Sequence, residues 1–267
     1  SAADLAHMLK IPVLLVLDAA KTAHSIAALV AGFRDFDPRV TVAGVILNRV
    51  GSPRHLDMLT QALARQNIKI FGHLMRSEAF ALPERHLGLV QAGEIDQLDT
   101  WIDHVAAALH PSLDLEALTQ LSGPACAPQI TLPAPPAQHI AIAADRAFAF
   151  CYPHQLKSWR DAGAQLSFFS PLADEPAPET AQYIFLPGGY PELHAGQLAC
   201  AAGFKASLAR HAAIGTPIYG ECGGYMVLGK GLIDAKGIRH EMLGLLPLET
   251  SFQQRKLHLG YRQLTPL

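Results

Sequence analysis

Tyr219–Lys230 reads Y-G-E-C-G-G-Y-M-V-L-G-K. The apolar run Pro217-Ile218-Tyr219 enters it from Gly215-Thr216, and Tyr225, Met226, Val227 and Leu228 open an apolar pattern behind it. The stretch reads as a buried strand that turns sharply into a helix at Cys222. Gly220, Gly223 and Gly224 flank the turn, and glycine accepts positive φ and close backbone approach. The shape is that of a nucleophile elbow with sulfur in place of hydroxyl. A thiol there sits near a helix N-terminus, whose partial positive charge favours the thiolate. A cysteine taken alone is more often a small buried hydrophobe.

A second stretch supports the nucleophile reading. Leu186-Pro187-Gly188-Gly189-Tyr190-Pro191-Glu192 follows the apolar run Tyr183-Ile184-Phe185. A strand ending in a Pro-Gly-Gly loop can aim backbone N–H groups at a common point. The N–H groups of Gly188 and Gly189, with that of Gly223, would form an oxyanion hole for an attacked carbonyl.

Together, E-C-G-G-Y-M-x-L-G and L-P-G-G-Y-P-E resemble the glutamine amidotransferase domain of the cobyrinic acid a,c-diamide synthase family. The related cobyric acid synthases usually carry another residue before the Cys and Q-M-L-G after it. Glu221 and Met226-Val227-Leu228-Gly229 favour the diamide synthases.

With 267 residues, the chain can bury about 70–75% of its unfolded surface, enough for one large domain or two modest ones. A net charge of −2 offers no basic patch for nucleic acid. No apolar run approaches the roughly 18 residues of a membrane helix. The four cysteines, 126, 151, 200 and 222, lack C-x-x-C spacing, which argues against zinc and a disulfide framework. A reducing cytoplasm fits this pattern. Thirteen histidines are scattered without metal-ligand spacing. Ser1 opens within a helical pattern and the chain stops after Leu267, so the expectation is an internal fragment.

Residues 1–110 alternate strand and helix at spacings suited to βαβ units. Ile11–Leu17 is a continuous apolar run, expected as a parallel strand covered on both faces. Asp18 ends it, where ligands collect in open α/β sheets. Asp18 would hold Mg²⁺ through water, or be a turn-capping Asp. Val42–Leu47 is a second strand, followed by Asn48, and Ile68–Leu74 a third. Asn48 resembles the adenine-reading Asn of dethiobiotin-synthetase-like ATPases; an ordinary turn Asn is the other reading. Leu82–Val90, L-P-E-R-H-L-G-L-V, is similar to the diamide synthase family. Arg85 and His86 there would meet phosphate or substrate carboxylate, or form an ion-pair network with Glu84. No G-x-x-x-x-G-K-[ST] phosphate loop is present. The resemblance places that loop before Ser1.

Residues 111–138 are broken by Gly123-Pro124, Pro128 and Pro133-Ala134-Pro135-Pro136 and read as a linker. Residues 139–267 then form a second unit. Its strands are expected at Ile140–Ala143 and Leu166–Phe169, and its helices at 154–162 and 196–212. Asp145–Tyr152 resembles a strand-end motif of the family, with Ala144 where an Arg usually stands. Met242–Pro247 and Leu259–Arg262 follow the family pattern too.

The resemblance implies two α/β domains, a dethiobiotin-synthetase-like domain without its P-loop and a class I glutamine amidotransferase domain. It implies an ATP-dependent carbon–nitrogen ligase that takes ammonia from glutamine at Cys222. ATP and Mg²⁺ would activate the a and c carboxylates of cobyrinate or hydrogenobyrinate in cobalamin biosynthesis. Its general base would be a His beyond Leu267; His194 and His258 do not match that motif. The segment alone is expected to perform neither reaction usefully. A homodimer is compatible with this reading. The rivals are cobyric acid synthase, another tetrapyrrole amidoligase, or an amidotransferase-like module that binds without catalysing.

Overall fold

The computed structural model describes residues 2–83, 88, 90–123, 133–253 and 263. The chain divides into two compact units, Ser1–Ile130 and Thr131–Leu267. Each carries its own mostly parallel sheet with helices against it.

In the first unit, helix α1 (Ala2–Leu9) leads into strand β1 (Val13–Asp18), followed by α2 (Ser25–Phe36), β2 (Val42–Val50), α3 (Pro53–Ala64), β3 (Ile70–Met75), α4 (Leu98–Leu109) and α5 (Leu115–Leu121). The sheet order is β1-β2-β3, all parallel. Helix α3 starts sharply because Ser52 Oγ accepts from the His55 N–H at 3.1 Å and proline opens the first turn. Its Leu59 and Leu63 recur four apart and bury with Ile26, Val30, Val45 and Leu47. Burying each such side chain contributes roughly 1.5–3 kcal/mol.

The expectation that β1 is covered on both faces does not hold among the described residues. Val16 is 65% exposed and no described element packs over it. An apolar run signals burial in general but does not name the element that supplies it.

The expected linker 111–138 also begins too early. Leu113 packs against Gly72, the Asp114 N–H donates to Phe71 O at 2.8 Å, and Ser112 Oγ donates to His73 O. Asp114 then caps α5 by accepting from the Ala117 N–H at 3.0 Å. Residues 110–121 therefore complete the edge of the first sheet.

The second unit contains β4 (His139–Ala143), α6 (Pro153–Asp161), β5 (Gln165–Phe169), β6 (Tyr183–Leu186), α7 (Ala195–Cys200), α8 (Ala202–Ala213), β7 (Ile218–Gly220) and α9 (Gly223–Leu228). Its parallel sheet has the order β5-β4-β6-β7. The strand period of two is visible in the core. Ala141, Ala143, Ile184 and Leu186 face one cluster, with Phe204, Leu208 and Val227. Ile140, Ile142 and Phe185 face the other, with Trp159. The single helix expected over 196–212 is broken at Ala201 into α7 and α8. A second small sheet follows, β8 (Gly231–Ile233), β9 (Arg239–Glu241) and β10 (Glu249–Ser251), ordered β10-β8-β9. No helix among the described residues is long and apolar enough to cross a membrane.

Candidate functional site

Strand β7 lies parallel to β6, with Gly220 in register with Leu186. The Glu221 N–H donates to Leu186 O at 3.0 Å, which ties the chain to β6 as it leaves the strand. Cys222 then turns it, at φ 49° and ψ −109°. A side chain held at positive φ in this way costs about 1–3 kcal/mol, and the surrounding structure must over-determine it. The glycines do so. A Cβ on Gly224 would lie 1.9 Å from Leu186 O, and one on Gly189 2.1 Å from Ala147 O. Only bare backbone lets α9 sit this close to β6 and its loop.

The result is a compact seat for the sulfur. Cys222 Cβ lies 3.2 Å from where Gly188 would carry a side chain, and Gly223 is packed equally closely on Gly189. The N–H groups of Gly189 and Gly223 have no hydrogen-bond acceptor among the described residues, while Gly188 is bridged antiparallel to Phe150. The loop itself is braced from behind. The Phe150 N–H donates to Gly188 O at 2.9 Å, and its ring meets the fully buried Tyr190 edge-on at 5.2 Å. Cys222 is exposed and Cys151 half-buried; Cys200, at the end of α7, is exposed but has no glycine turn. Burial, above all, pushes the Cys151 thiol up. Cys126 lies outside the described residues. Helix α9 has six residues, so its contribution to the sulfur is local, from first-turn N–H groups rather than a long dipole.

One pair beside the elbow was not legible in the sequence. Tyr152 Oη donates to Glu221 Oε1 at 2.7 Å, across 69 residues. The hydrogen bond to the Glu221 carboxylate, and then its charge, hold the Tyr152 phenol above its ordinary range. Asp145, by contrast, is a scaffold residue. Its carboxylate accepts from the N–H groups of Ala147 and Leu172 and from Ser170 Oγ.

In the first unit, Asp18 and Asn48 are Cα partners near the C-terminal edge of the sheet. Asp18 ends β1, whereas β2 runs past the expected end at Leu47 to Val50, so Asn48 lies within that strand. Asp18 accepts from the Ala20 N–H and from Arg49 Nη1, each at 2.9 Å. Arg49 sits at φ 61°, where the β2–β3 register shifts. That bulge re-aims its guanidinium along the edge toward Asp18. His55 clamps the loops after the two strands. It takes the Gly51 N–H at Nδ1, 3.1 Å, so Nε2 carries the proton toward Thr22 O at 2.7 Å. Beside this edge lies a cavity of about 490 Å³, lined by Asn48, Arg49, Arg76, Phe80, Leu82 and Trp101 among others. Trp101 Nε1 donates to Ala79 O at 3.1 Å and pins one wall. Asp18 is a single, half-exposed carboxylate whose present partner, Arg49, is half-exposed too. That suits a water-mediated hold on an ion whose other ligands are phosphates, and not a closed protein cage. No cluster of three or more His, Cys, Asp or Glu among the described residues could hold a metal.

Residues 139–266 match the CobB/CobQ-like glutamine amidotransferase domain, and residues 3–90 the CobQ/CobB/MinD/ParA nucleotide binding domain. The chain is 54% identical to the hydrogenobyrinate a,c-diamide synthase of Brucella anthropi, 53% to that of Rhizobium meliloti and 50% to that of Agrobacterium fabrum. Along nearly its whole length the chain is therefore similar to hydrogenobyrinate a,c-diamide synthases. These alignments take in 100%, 99% and 99% of this chain, but 62%, 62% and 61% of the three relatives.

The fold thus brings the expected residues into two groups. Cys222, Gly188, Gly189 and Gly223 converge in the amidotransferase unit, and Asp18 and Asn48 in the nucleotide-binding unit. Arg85 and His86 lie outside the described residues, as do His258 and Leu259–Arg262. His194 begins α7. Tyr152, Arg49 and His55 were missed. Only Arg49 carried a local signal, as the residue after Asn48.

Proposed function

We propose that this chain works within an ATP- and glutamine-dependent amidoligase that amidates the a and c carboxylates of hydrogenobyrinate, a step of cobalamin biosynthesis. The observation that carries the reading is the strained Cys222 turn seated against the Gly188-Gly189 loop. The names of the relatives favour hydrogenobyrinate over cobyrinate and over the substrate of cobyric acid synthase. Retention of the whole glycine-framed elbow disfavours a module that only binds.

The chemistry divides between two sites. The Cys222 thiolate attacks the side-chain amide carbon of glutamine. The carbonyl oxygen gains the negative charge and rests among the N–H groups of Gly188, Gly189 and Gly223. Collapse of the adduct breaks the C–N bond, and the nitrogen leaves as ammonia after taking a proton. Water then hydrolyses the γ-glutamyl thioester to glutamate and frees the sulfur. In the first unit Asn48 would read the adenine edge with its amide, donating and accepting at once. Asp18, released by Arg49, would hold Mg²⁺ through water. Mg²⁺ supplies charge neutralisation on the nucleotide phosphates. A substrate carboxylate takes the γ-phosphoryl group of ATP, and ammonia displaces phosphate from the acyl phosphate to leave the amide. Arg85 and His86 remain candidates for phosphate or substrate carboxylate. A cytoplasmic site and a homodimer fit the same proposal.

The direct test uses the full-length protein with hydrogenobyrinate, ATP, Mg²⁺ and glutamine labelled with ¹⁵N in the side-chain amide. The expected product gains two labelled nitrogens, at carboxylates a and c. A product labelled elsewhere, or no ATP-dependent product, would overturn the assignment. For the nucleotide site, Asn48→Ala is expected to raise KM for ATP about tenfold with ammonia as the nitrogen source, as for the loss of a paired amide contact. An unchanged KM for ATP would remove Asn48 from base recognition.

A further inference from the structure

Beside the elbow lies a second cavity, of about 850 Å³, with Tyr152, Gln155, Trp159, Tyr183, Tyr219 and Glu221 in its wall. Two of its acceptors, on Glu221 and Gln155, have no donor among the described residues. Glu221 spends Oε1 on the Tyr152 hydroxyl at 2.7 Å, and its second carboxylate oxygen has no partner among the described residues. Gln155 Oε1 is buried in the same wall without a hydrogen bond. The lysine of this wall, Lys157, is already paired with Asp161 at 2.5 Å. No arginine or lysine among the described residues compensates Glu221. A carboxylate, an orphaned amide oxygen and aromatic faces together match one ligand chemistry, an organic ammonium ion.

The backbone fixes where that charge sits relative to the sulfur. Glu221 directly precedes Cys222, and its N–H is bonded to Leu186 O at 3.0 Å, at the root of the Gly188-Gly189 loop. Its C=O accepts from the Gly224 N–H at 2.8 Å, at the start of α9. The acceptor and the nucleophile therefore move as one rigid turn.

We propose that Glu221, held by Tyr152, is the specificity residue that binds the α-ammonium group of the amide donor while Cys222 attacks its side-chain amide. This rests on the reading of Cys222 as the glutamine nucleophile and deepens it by assigning the charge recognition that selects an α-amino acid. Tyr152 is a positioning residue, since it acts through the carboxylate.

The test compares glutamine with glutaramate, which has the same amide and carboxylate but no α-ammonium group. Ammonia release is measured in the full-length enzyme. Glu221→Gln is expected to lower kcat/KM for glutamine about 10- to 100-fold, mostly through KM, as when a hydrogen bond to a charged group is lost. Glutaramate turnover is expected to stay within about twofold, so the preference for glutamine collapses. Tyr152→Phe should show the same pattern at smaller amplitude, and it keeps the test available if Glu221→Gln does not fold. Equal losses for both donors, or no loss for either, overturn the proposal. Alkylation by iodoacetamide, which carries no ammonium group, is mapped to Cys222 in parallel. If blocking Cys222 leaves glutamine turnover intact, the nucleophile assignment fails instead.

Discussion

In the full-length enzyme, Cys222→Ala is expected to lower glutamine-dependent amidation by about 10³-fold or more while amidation with free ammonia continues. The size follows from removing the only atom that bonds to the amide carbon. The selectivity follows from the division of labour between two units with separate sheets and cores. Ammonia supplied from solution bypasses the first reaction and still meets the activated carboxylate. The check is ATP-dependent product formation with each nitrogen source. Undiminished glutamine-dependent activity would remove Cys222 as nucleophile. Loss of both activities, in a variant shown to be folded, would sink the two-site mechanism. Cys151→Ala and Cys200→Ala should leave both rates within about twofold, since neither residue stands at a glycine-framed turn.

Gly224→Ala is the second large effect. The added methyl would lie 1.9 Å from Leu186 O and 2.6 Å from Leu186 C. Both are backbone atoms of β6, an internal strand, so no side chain can swing aside. Relief requires α9 to back away from β6, which carries Cys222 away from the Gly188-Gly189 loop. A loss of about 2–3 kcal/mol of stability is expected, the upper part of the range for overpacking. Glutamine turnover should fall with it, because the N–H groups and the sulfur no longer share a point. Gly196→Ala is the control. It sits in α7, and its added methyl would meet only His240, at 3.6 Å, an ordinary contact. Its stability should change by less than about 1 kcal/mol, in the direction helix propensity favours. Urea unfolding of the two variants decides the point; equal midpoints would show that the elbow has room for the added methyl.

Much of this molecule was determined by local sequence. Apolar runs ending at Asp18 and before Asn48 set strands whose ends share an edge, because parallel strands in register bring such ends together. The glycines around Cys222 determined the turn, since no other residue accepts the approach to Leu186 and Gly189. These signals are legible because backbone sterics and side-chain period act within a few residues. What remained was decided by contacts between distant parts of the chain. Arg49 reaches Asp18 across 31 residues, and Tyr152 reaches Glu221 across 69. Residues 111–121 read as linker by composition, yet they pack on β3 because Gly72 leaves room for Leu113 and Phe71 O accepts the Asp114 N–H. Val16 sits in a run that promises burial, but which surface covers a strand depends on its neighbours in space. Hydrogen-bond partners and packing surfaces are chosen only once the sheets exist. The sequence by itself therefore determined where the sulfur turns, and the tertiary structure alone decided which charges surround it.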